Sequence, residues 1–517
     1  MKMSTQVVML GILAALSGGL MARASDTAGP VINVQDYGAR GDGVSNDTLA
    51  FHAASQALQE AGGGTLVIPR GTYIVGLQTH GLTPDHPNPG YRNTAVPYWK
   101  QHPIIELRNV DGVVIEGNGA TLRVADGLHY GGYDSVTGEP ITETPEPNVF
   151  NPQLAAAIGS LITINQSSHI IIRDLELDGN VDKQDIGGIW SSHGRQLPAS
   201  GIQLYNNRFV RIENIHTHHH ALDGIIIGWT NLTVDDPPTP HVLVNIDSEY
   251  NCRQGLSWVG GRGLTAINCK FNHTGRAVFG SPPGAGIDIE PEVSVCRDGR
   301  FVNCQFINNN GCAIVADSGD GGYTEFINCT IWGTTMWSVW ASKPGLKFED
   351  CTIHGSIVHG VGSDDPDLAT QYRRCHFEDV DYQDKGCYRS TALVIHSGDN
   401  VLFEDCAIIA NKTKACYVDY PNHEIFRRCR ITHRWTDAPD HTFQSIFRGS
   451  HLEEVSFFES FDPASADKRF SIIADGVTIG AGNHVAGPQT KWGNWSWGSV
   501  GDVPPTSNVD TPADPEL

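Results

Sequence analysis

A short phrase centred on one cysteine recurs seven times in the second half of the chain. Apolar residues flank each cysteine, as in Ile267-Asn-Cys269-Lys-Phe271 and Phe403-Glu-Asp-Cys406-Ala-Ile408. The seven cysteines are Cys269, Cys304, Cys329, Cys351, Cys375, Cys406 and Cys429. They are separated by 22 to 35 residues, and a recurrence of roughly 20 to 50 residues is typical of solenoids, in which each repeat buries its apolar face against its neighbours. The pattern therefore predicts a parallel β-helix whose turns vary in length while its strands stay in register.

The same register continues upstream of the first ladder cysteine. There Leu175, Ile215 and Ser248 occupy the cysteine position, which gives about ten coils. A second family of strands runs in phase with the first, and most of its members begin with glycine, as in Gly224-Ile-Ile-Ile and Gly286-Ile-Asp-Ile. These two strand families make the coil the repeating unit, and they predict that the β-helix extends over residues 101–480.

The ladder cysteines are predicted to be reduced thiols that pack inside the β-helix. A free cysteine behaves as a small hydrophobic residue. An odd number of evenly spaced members disfavours systematic disulfide pairing, and the chain contains no Cys-x-x-Cys pair of the kind that binds metals. Five further cysteines lie outside the ladder and could form one or two disulfides: Cys252, Cys296, Cys312, Cys387 and Cys416.

The ends and the net charge of the chain indicate its cellular location and the partners that it disfavours. Residues 1–24 begin with a basic residue, continue as a short apolar run and finish in Ala22-Arg-Ala24, which is typical of a secretory signal peptide cleaved after Ala24. We therefore expect a secreted or periplasmic protein. A formal net charge of −23 disfavours nucleic acid as a partner, and no later stretch is long and apolar enough for membrane insertion. Residues 481–517 form a C-terminal extension that we expect to be partly disordered.

Residues 31–100 precede the predicted coils and contain two distinctive phrases. The first runs from Asp36-Tyr-Gly-Ala-Arg-Gly-Asp-Gly to Asn46-Asp47-Thr48, and the second is Gly62-Gly-Gly-Thr-Leu-Val-Ile-Pro-Arg-Gly-Thr-Tyr73. Between them, Asn46 or Asp47 can cap an amphipathic helix, which would cover the open end of a solenoid. Together the phrases closely resemble the N-terminal region of the pectate-lyase-like superfamily, which includes polygalacturonases, polysaccharide lyases, alginate epimerases and phage tailspikes. The resemblance implies an all-β, single-stranded right-handed parallel β-helix with an N-terminal helical cap, and a carbohydrate substrate.

Outward-facing carboxylates are the most direct candidates for catalysis, because glycan hydrolysis uses two carboxyl groups that face the scissile bond. The densest group is Asp288, Glu290 and Glu292. Ile287 and Ile289 should point inward, so Asp288 and Glu290 should share the outer face, with Glu292 at its rim. Mutual repulsion should raise the pKa of at least one of them, as a general acid requires. We assign all three a catalytic role, although the same group could instead bind Ca²⁺.

Two further carboxylates are expected on other coils. Asp223 precedes the aligned strand Gly224-Ile-Ile-Ile. Alignment of the strands by their glycines places Asp317 one coil after Glu292 and in the same column. We assign Asp223 and Asp317 to the catalytic group and Arg253, which lies in a neighbouring turn, to substrate binding.

Histidine and aromatic side chains supply the other candidates for substrate binding. His219 and His220 end the run His216-Thr-His-His-His, whose imidazoles could act as bases or bind a metal. Outward aromatic rings offer flat apolar faces to sugar rings. The aromatic candidates are Tyr205, Trp229 and Trp340. No residue is assigned as a metal ligand.

These observations favour a secreted glycoside hydrolase that cleaves a polysaccharide with carboxylate side chains and requires no cofactor. The first alternative is a polysaccharide lyase that acts on a uronate-containing glycan by β-elimination. The second is a non-catalytic glycan-binding β-helix. The glycan, the stereochemical outcome and the oligomeric state stay open.

Overall fold

A computed structural model of the chain describes residues 29–81, 98–102, 104–133, 139–141, 155–188, 196–395, 398–418, 423–434, 443–447, 449–460, 470–474, 478–479, 484–486 and 496–497. The chain divides into two compact units. The first comprises residues 1–284 with 293–295, and the second comprises residues 285–292 with 296–517. The predicted signal peptide, residues 1–24, lies outside the described residues.

The cap of the first unit contains one α-helix, in the position that the sequence predicts. The helix spans Thr48–Glu60 and buries Phe51 and Leu58 on its apolar side. Oδ1 of Asn46 accepts a hydrogen bond from the backbone N–H of Thr48 at 3.1 Å. The carboxylate of Asp47 instead accepts hydrogen bonds from backbone N–H groups of the preceding turn.

The described part of the chain also contains three short 3₁₀ helices, which span Val34–Tyr37, Val181–Lys183 and Gln383–Lys385.

The first unit contains two stacks of parallel strands. The longer stack consists of Val31–Asn33, Asp42–Asn46, Gly64–Val67, Thr72–Val75, Asp111–Val124, Ser168–Asp178, Arg208–His218, His241–Glu249, Leu264–Ile267 and Lys270–Asn272. The shorter stack consists of Ile105–Arg108, Ile162–Asn165, Ile202–Tyr205, Ile225–Gly228 and Leu256–Val259. Other short strands are Gln78–Gly81, Tyr98–Gln101, His129–Gly132, Ala155–Ala156, Asp185–Ile186 and Gly261–Arg262.

The second unit repeats this arrangement with shorter strands. Its first stack consists of Gly299–Val302, Gln305–Ile307, Thr324–Ile327, Thr330–Trp332, Lys347–Glu349, Thr352–His354, Gln371–Arg373, His376–Glu378, Leu402–Glu404, Ala407–Ala410, Ile425–Arg427, Arg430–Arg434, His451–Glu453, Ser456–Ser460, Thr478–Ile479 and His484–Ala486. Its second stack consists of Ile287–Ile289, Ile314–Ala316, Val339–Ala341, Ile357–Val358, Ala392–Ile395, Lys414–Val418, Phe443–Phe447, Phe470–Ala474 and Ser496–Trp497. Cys296–Arg297 is a further short strand. The predicted all-β parallel β-helix is confirmed, and parallel pairing already begins at Val31 and still occurs at Ser496.

Each cysteine phrase of the second unit is a pair of short strands joined at a corner. In the first such phrase, Gly299–Val302 and Gln305–Ile307 flank Asn303 and Cys304. The residue before each ladder cysteine has a left-handed backbone, with φ between 51° and 56°. Those residues are Asn268, Asn303, Asn328, Asp350, Arg374, Asp405 and Arg428. The left-handed corner turns each following cysteine inward, and all seven cysteines are at most 2% exposed.

Upstream of Cys269, the cysteine column differs from the prediction at one coil. Leu175 and Ile215 pair with each other in the cysteine position, as predicted. The next member is Ile246, which pairs with Ile215, whereas Ser248 pairs with Thr217. The cause is the position of the corner, because the left-handed residue of this coil is Asn245.

A column of stacked aromatic rings lies three residues before the cysteines of the second unit. Successive ring centroids are 5.1, 5.0, 4.7, 5.0 and 4.8 Å apart. The column consists of Phe301, Phe326, Phe348, Tyr372, Phe403 and Phe426. Such pairs add to the stabilisation that burial alone provides.

The cysteine side chains pack as free thiols. All twelve cysteines are unbridged, including the five outside the ladder. Sγ of Cys351 lies 3.3 Å from O of Phe326 and 3.4 Å from O of Glu349, which is the range of a weak S–H donor. Among the described residues, no helix is both long and apolar enough to cross a bilayer.

We predict that Cys351→Ser destabilises the protein by roughly 1–3 kcal/mol, because a buried hydroxyl without a good partner carries a desolvation cost. The shorter C–O bond would leave the hydroxyl too far from both carbonyls for a normal hydrogen bond. Urea unfolding would measure the change, with Cys312→Ser, at a half-buried position, as the control. Equal stability of both variants and the wild type would contradict a packed cysteine column.

Candidate functional site

Two rows of polar side chains cross the outer face of the long sheet in the first unit. Both rows follow the corner, on strands that pair in register, so equivalent residues of neighbouring coils lie side by side. The first row is Thr121, Glu176, His216, Asp247 and Lys270, and the second row is Arg123, Asp178, His218, Glu249 and Asn272. The alternating residues on the same strands, such as Leu177 and Ile215, are buried.

A groove of about 720 Å³ lies over the first row and the corner beside it. Its lining residues are Asn118, Gly119, Asp174, Leu175, Glu176, Asn214, Ile215, His216, Asn245 and Asp247. The groove thus joins carboxylate and imidazole groups to the amide side chains of the corner. The groove is open to solvent, and its lining combines these polar groups with apolar surface.

Asp247 and Glu249 form a pair of carboxyl groups, with one oxygen of each within 4.8 Å of the other. Nζ of Lys270 lies 2.7 Å from Oδ2 of Asp247. Oδ1 of Asp247 is buried and has no hydrogen-bond partner among the described residues. Burial and the neighbouring charge of Asp247 raise the pKa of Glu249 to about 7. Glu249 can therefore hold a proton near neutral pH.

Glu176 lies two strands away from Asp247 in the first row. Its Oε2 accepts a hydrogen bond from Oγ1 of Thr121 at 2.6 Å, and its Oε1 lies 3.2 Å from Nε2 of His218. Burial alone would raise the pKa of Glu176, but the hydrogen bonds with Thr121 and His218 outweigh it and lower that pKa. Glu176 is thus ionised at neutral pH.

The imidazoles of the two rows have different surroundings. The side chain of His216 is 46% exposed, and its Nδ1 lies 3.8 Å from Oε1 of Glu176. Burial, followed by the charge of His218, lowers the pKa of His216. The His216 ring is therefore a neutral base at neutral pH. His218 is more enclosed, and its Nδ1 lies 2.8 Å from Nδ1 of His219.

Three stacked rings border the second row. The rings of His219 and Tyr250 are 5.3 Å apart, and those of Tyr250 and His273 are 4.8 Å apart. All three residues have positive φ angles, of 54°, 53° and 56°. The same backbone turn on successive coils places the rings in one column.

The predicted carboxylates Asp288, Glu290, Glu292 and Asp317 belong to the second unit. Asp288 lies in the strand Ile287–Ile289 and is 2% exposed. Its carboxyl group is therefore enclosed rather than open to a polymer. Glu290 is half-buried, whereas Glu292 and Asp317 are exposed.

The pairing of this coil differs by two residues from the alignment by glycines. Asp288 pairs with Val315, so Asp317 lies level with Glu290 rather than with Glu292. The prediction aligned Gly286 with Gly311, but Gly286 lies level with Ala313. The segment between the two strands is therefore two residues longer than an alignment of the glycines gives. The catalytic role of these carboxylates stays a prediction.

Asp223 and Arg253 form a buried ion pair in the first unit. Nη1 of Arg253 lies 3.2 Å from Oδ2 of Asp223, which also accepts a hydrogen bond from Oγ of Ser257 at 3.0 Å. Burial raises the pKa of Asp223 despite the nearby guanidinium. The pair is placed to hold two coils together, and its predicted roles in catalysis and substrate binding are untested.

The predicted binding histidines lie in different environments. His219 borders the second row, whereas His220 is 2% exposed. Nε2 of His220 lies 2.9 Å from Oγ1 of Thr217, and burial lowers its pKa well below the usual range. His220 is therefore an interior side chain that a polymer cannot contact.

The three aromatic candidates are all half-buried. The ring of Tyr205 packs over Gly228, where an added Cβ would lie 2.4 Å from that ring. The guanidinium of Arg208 lies 5.0 Å from the ring centroid of Trp229. Trp340 belongs to the second unit, in the same column as Asp288 and Val315.

The carboxylates of the two rows are not among the site residues predicted from the sequence. The signal was the alternation after each corner: Leu175-Glu-Leu-Asp178 and Ile246-Asp-Ser-Glu249 carry inward and outward residues in turn. The prediction placed Ser248 rather than Ile246 in the cysteine column. That two-residue shift hid the alignment of Asp247 and Glu249 with Glu176 and Asp178. Alignment by the left-handed corner residue brings the rows together.

Known families match two parts of the chain. Residues 31–82 match the family described as rhamnogalacturonase A/epimerase, pectate lyase-like. Residues 160–353 and 318–438 match the right-handed β-helix region, and these overlapping matches cover more than half of the chain. The chain belongs to the right-handed β-helix family. The handedness and the pectate-lyase-like resemblance expected from the sequence are thereby confirmed.

Curated relatives match this β-helix protein over short segments. Mannuronan C5-epimerase AlgE1 of Azotobacter vinelandii is 58% identical over 43 residues, which are 8% of this chain and 3% of the relative. Alginate lyase 7 of the same organism is 54% identical over 43 residues, which are 8% of this chain and 5% of the relative. The chain thus spans less than a tenth of the length of these relatives.

Solved structures with similarity to this β-helix protein include three carbohydrate-related proteins. The A-module of mannuronan C-5 epimerase AlgE6 of A. vinelandii has a TM-score of 0.46 and 15% identity, with 89% of this chain and 100% of that chain covered. An exopolygalacturonase of Thermotoga maritima has a TM-score of 0.31 and 13% identity, with 88% of each chain covered. The tailspike gp49 of Acinetobacter baumannii bacteriophage Fri1, a capsular polysaccharide depolymerase, has a TM-score of 0.35 and 12% identity, with 89% and 64% covered. None of the three bears on the choice of reaction.

A buried histidine makes the first unit sensitive to acid. Burial lowers the pKa of His241 to about 4, although a backbone contact of its Nδ1 with O of Thr239 at 2.5 Å partly opposes this. The folded pKa is below the unfolded value, so the unfolded state binds more protons as the pH falls. The stabilisation is complete above about pH 6.5 and is lost progressively towards pH 4, by at most roughly 3 kcal/mol.

We predict that the melting temperature falls between pH 7.5 and pH 5, and that His241→Gln makes this fall shallower. Differential scanning fluorimetry across the pH range would measure both slopes. His52→Gln, at an exposed position of the cap helix, serves as the control and should keep the wild-type slope. Equal slopes for all three proteins would show that His241 does not contribute.

Proposed function

We propose that this protein is a secreted or periplasmic enzyme that cleaves a polysaccharide by hydrolysis, with the groove over the first row as its active site. The carrying observation is the pair of carboxyl groups of Asp247, which lines the groove, and Glu249 beside it, within 4.8 Å of each other and next to Lys270, with Glu176 two strands away. The typical signal-peptide sequence of residues 1–24 supports export.

Glu249 is the proton donor in this proposal. Two carboxyl groups this close repel each other when both are ionised, which favours a proton on one of them. Burial and the charge of Asp247 raise the pKa of Glu249 to about 7, so Glu249 is the group that holds this proton. Glu249 would protonate the leaving glycosidic oxygen as the bond to the anomeric carbon breaks.

Glu176 is the base that activates water. Strands are about 4.8 Å apart and residues about 3.3 Å apart along a strand, so the backbones of Glu176 and Glu249, two strands and two residues apart, are about 12 Å apart. Two glutamate side chains that lean towards each other across this distance leave room for a water molecule, as in inverting glycosidases, whose carboxyl groups are ~6.5–9.5 Å apart, rather than the ~5–5.5 Å of retaining ones. Glu176 would accept the proton of that water while its oxygen adds to the anomeric carbon. The proposal therefore predicts inversion.

The family matches support a polysaccharide substrate. Residues 31–82 match the rhamnogalacturonase A/epimerase family, and relatives that match over 43 residues are named for mannuronan epimerisation and for alginate cleavage. Residues 31–82 contain none of the groove residues, so the family match supports the substrate class and leaves the reaction to the groove itself.

Elimination is the second candidate, and His216 favours it. Its imidazole is neutral, half-exposed and in the groove, so it could remove a proton next to a uronate carboxylate. Lys270 would then offset the charge of that carboxylate. Elimination creates an unsaturated product that absorbs ultraviolet light, whereas hydrolysis creates only new reducing ends.

We predict that Glu249→Gln lowers kcat by about 10²–10⁴-fold, because an amide cannot donate the required proton. Turnover of a glycan panel, read by reducing ends and by ultraviolet absorbance, would measure the loss and identify the reaction. Asp288→Asn is the matched control, and its enclosed carboxyl should leave turnover close to the wild type. Loss of activity in Asp288→Asn alone would move the active site to the second unit. Glycan binding without any turnover of the wild-type protein would indicate the non-catalytic alternative.

A further inference from the structure

Three potential metal ligands meet beside the middle of the second row. Nδ1 of His218 lies 2.8 Å from Nδ1 of His219 and 3.7 Å from Oδ1 of Asp178. One ligand atom from each residue lies within 4.8 Å of the other two. The proposed hydrolysis uses none of these three residues.

The backbone at His219 is what brings the two imidazoles together. Consecutive side chains of a regular strand point to opposite faces, but the strand ends at His218 and His219 has a φ of 54°. The backbone N–H of His219 donates to O of Glu249 at 3.3 Å, and its O accepts from the N–H of Val181 at 3.0 Å. This left-handed conformation is therefore fixed on both sides by neighbouring coils.

Carboxylates lie behind both imidazoles. Nε2 of His218 lies 3.2 Å from Oε1 of Glu176, and Nε2 of His219 lies 4.0 Å from Oδ2 of Asp182. The carboxylate of Glu176 holds the N–H at the far nitrogen of His218 and leaves its near nitrogen free to coordinate, as is common for metal-bound histidines. Asp182 lies beyond hydrogen-bond distance of His219 but adds negative charge behind its ring. The 2.8 Å between the two Nδ1 atoms requires either a proton shared by the two imidazoles or a cation bound by both.

We propose that Asp178, His218 and His219 bind one divalent transition-metal ion of the zinc class. Two imidazole nitrogens and one carboxylate oxygen suit Zn²⁺, which takes nitrogen ligands at about 2.0–2.1 Å. Ca²⁺ instead takes six to eight oxygen ligands, so this site should discriminate against it. Three nearby carboxylates provide negative charge, of which Arg123 offsets part through its Nε, 3.4 Å from Oδ2 of Asp178.

The side chain of His219 is 32% exposed, which leaves the ion a route to solvent. A bound ion would also fix His218, whose other nitrogen contacts Glu176. The site would thus position the proposed base without itself touching the substrate.

Zn²⁺ binding to the full chain tests the proposal without reference to activity. The chain would first be stripped with a chelator, and competition with a chromophoric Zn²⁺ indicator would then measure affinity and stoichiometry. We expect one equivalent of Zn²⁺ and no saturable Ca²⁺ binding at the same concentrations. Co²⁺ added to the wild type should show visible absorption bands of nitrogen coordination, a readout that needs no variant.

Variants identify the ligands. His219→Asn introduces a residue that tolerates the left-handed backbone, and Asp178→Asn removes only the negative charge. Each variant should weaken Zn²⁺ binding at least tenfold. The circular dichroism spectrum of each should match that of the wild type. His423→Ala, at an exposed histidine beside Asp399, is the matched control and should bind as the wild type does. Glu249→Gln should retain full Zn²⁺ affinity while losing turnover, which separates this proposal from the proposed hydrolysis. Absence of saturable Zn²⁺ binding, or wild-type affinity in both ligand variants, would overturn the proposal and leave a proton shared between the two imidazoles.

Discussion

One residue with a left-handed backbone turns the corner of each coil, and the alignment of every other column depends on it. A non-glycine residue in this conformation is disfavoured by roughly 1–2 kcal/mol, although asparagine and aspartate tolerate it. Side-chain ladders offset that cost. Asn214 donates to Asp174 at 2.9 Å and Asn245 donates to Asn214 at 3.0 Å in the first unit. In the second unit, Arg374 pairs with Asp350 and Arg428 with Asp405, each at 2.7 Å.

The corner decides which residues become core and which become surface. The residue after it points inward, as Leu175, Ile215 and the ladder cysteines do, and the next residue points outward. In the first unit the outward positions carry the charged and imidazole groups of the two rows. In the second unit the same positions carry residues such as Trp332 and His354, whose rings are 4.1 Å apart. The same left-handed corner therefore presents different kinds of side chain on different coils.

The two rows bring opposing charges together within a few strands. Asp178 lies near Arg123, Glu176 near His218 and Asp247 near Lys270. Interacting carboxylates with separated environments are how protein sites obtain an acid and a base at the same pH. The proposed hydrolysis uses the pair nearest Lys270, and the proposed metal site uses Asp178 and His218 on the two preceding strands, together with His219.

The sequence by itself determined the repeating coil, the inward cysteine column and the helical cap, because apolar periodicity and capping residues act locally. It also fixed Leu175 and Ile215 as members of that column. Only the tertiary structure decided that Ile246 rather than Ser248 continues it, and that Asp317 lies level with Glu290. Turns of unequal length shift the next strand by two residues, a shift that preserves the alternation of inward and outward residues and so leaves no trace in the hydrophobic pattern. The enclosure of Asp288 and the meeting of His218 with His219 likewise depend on neighbouring coils, which are distant in sequence.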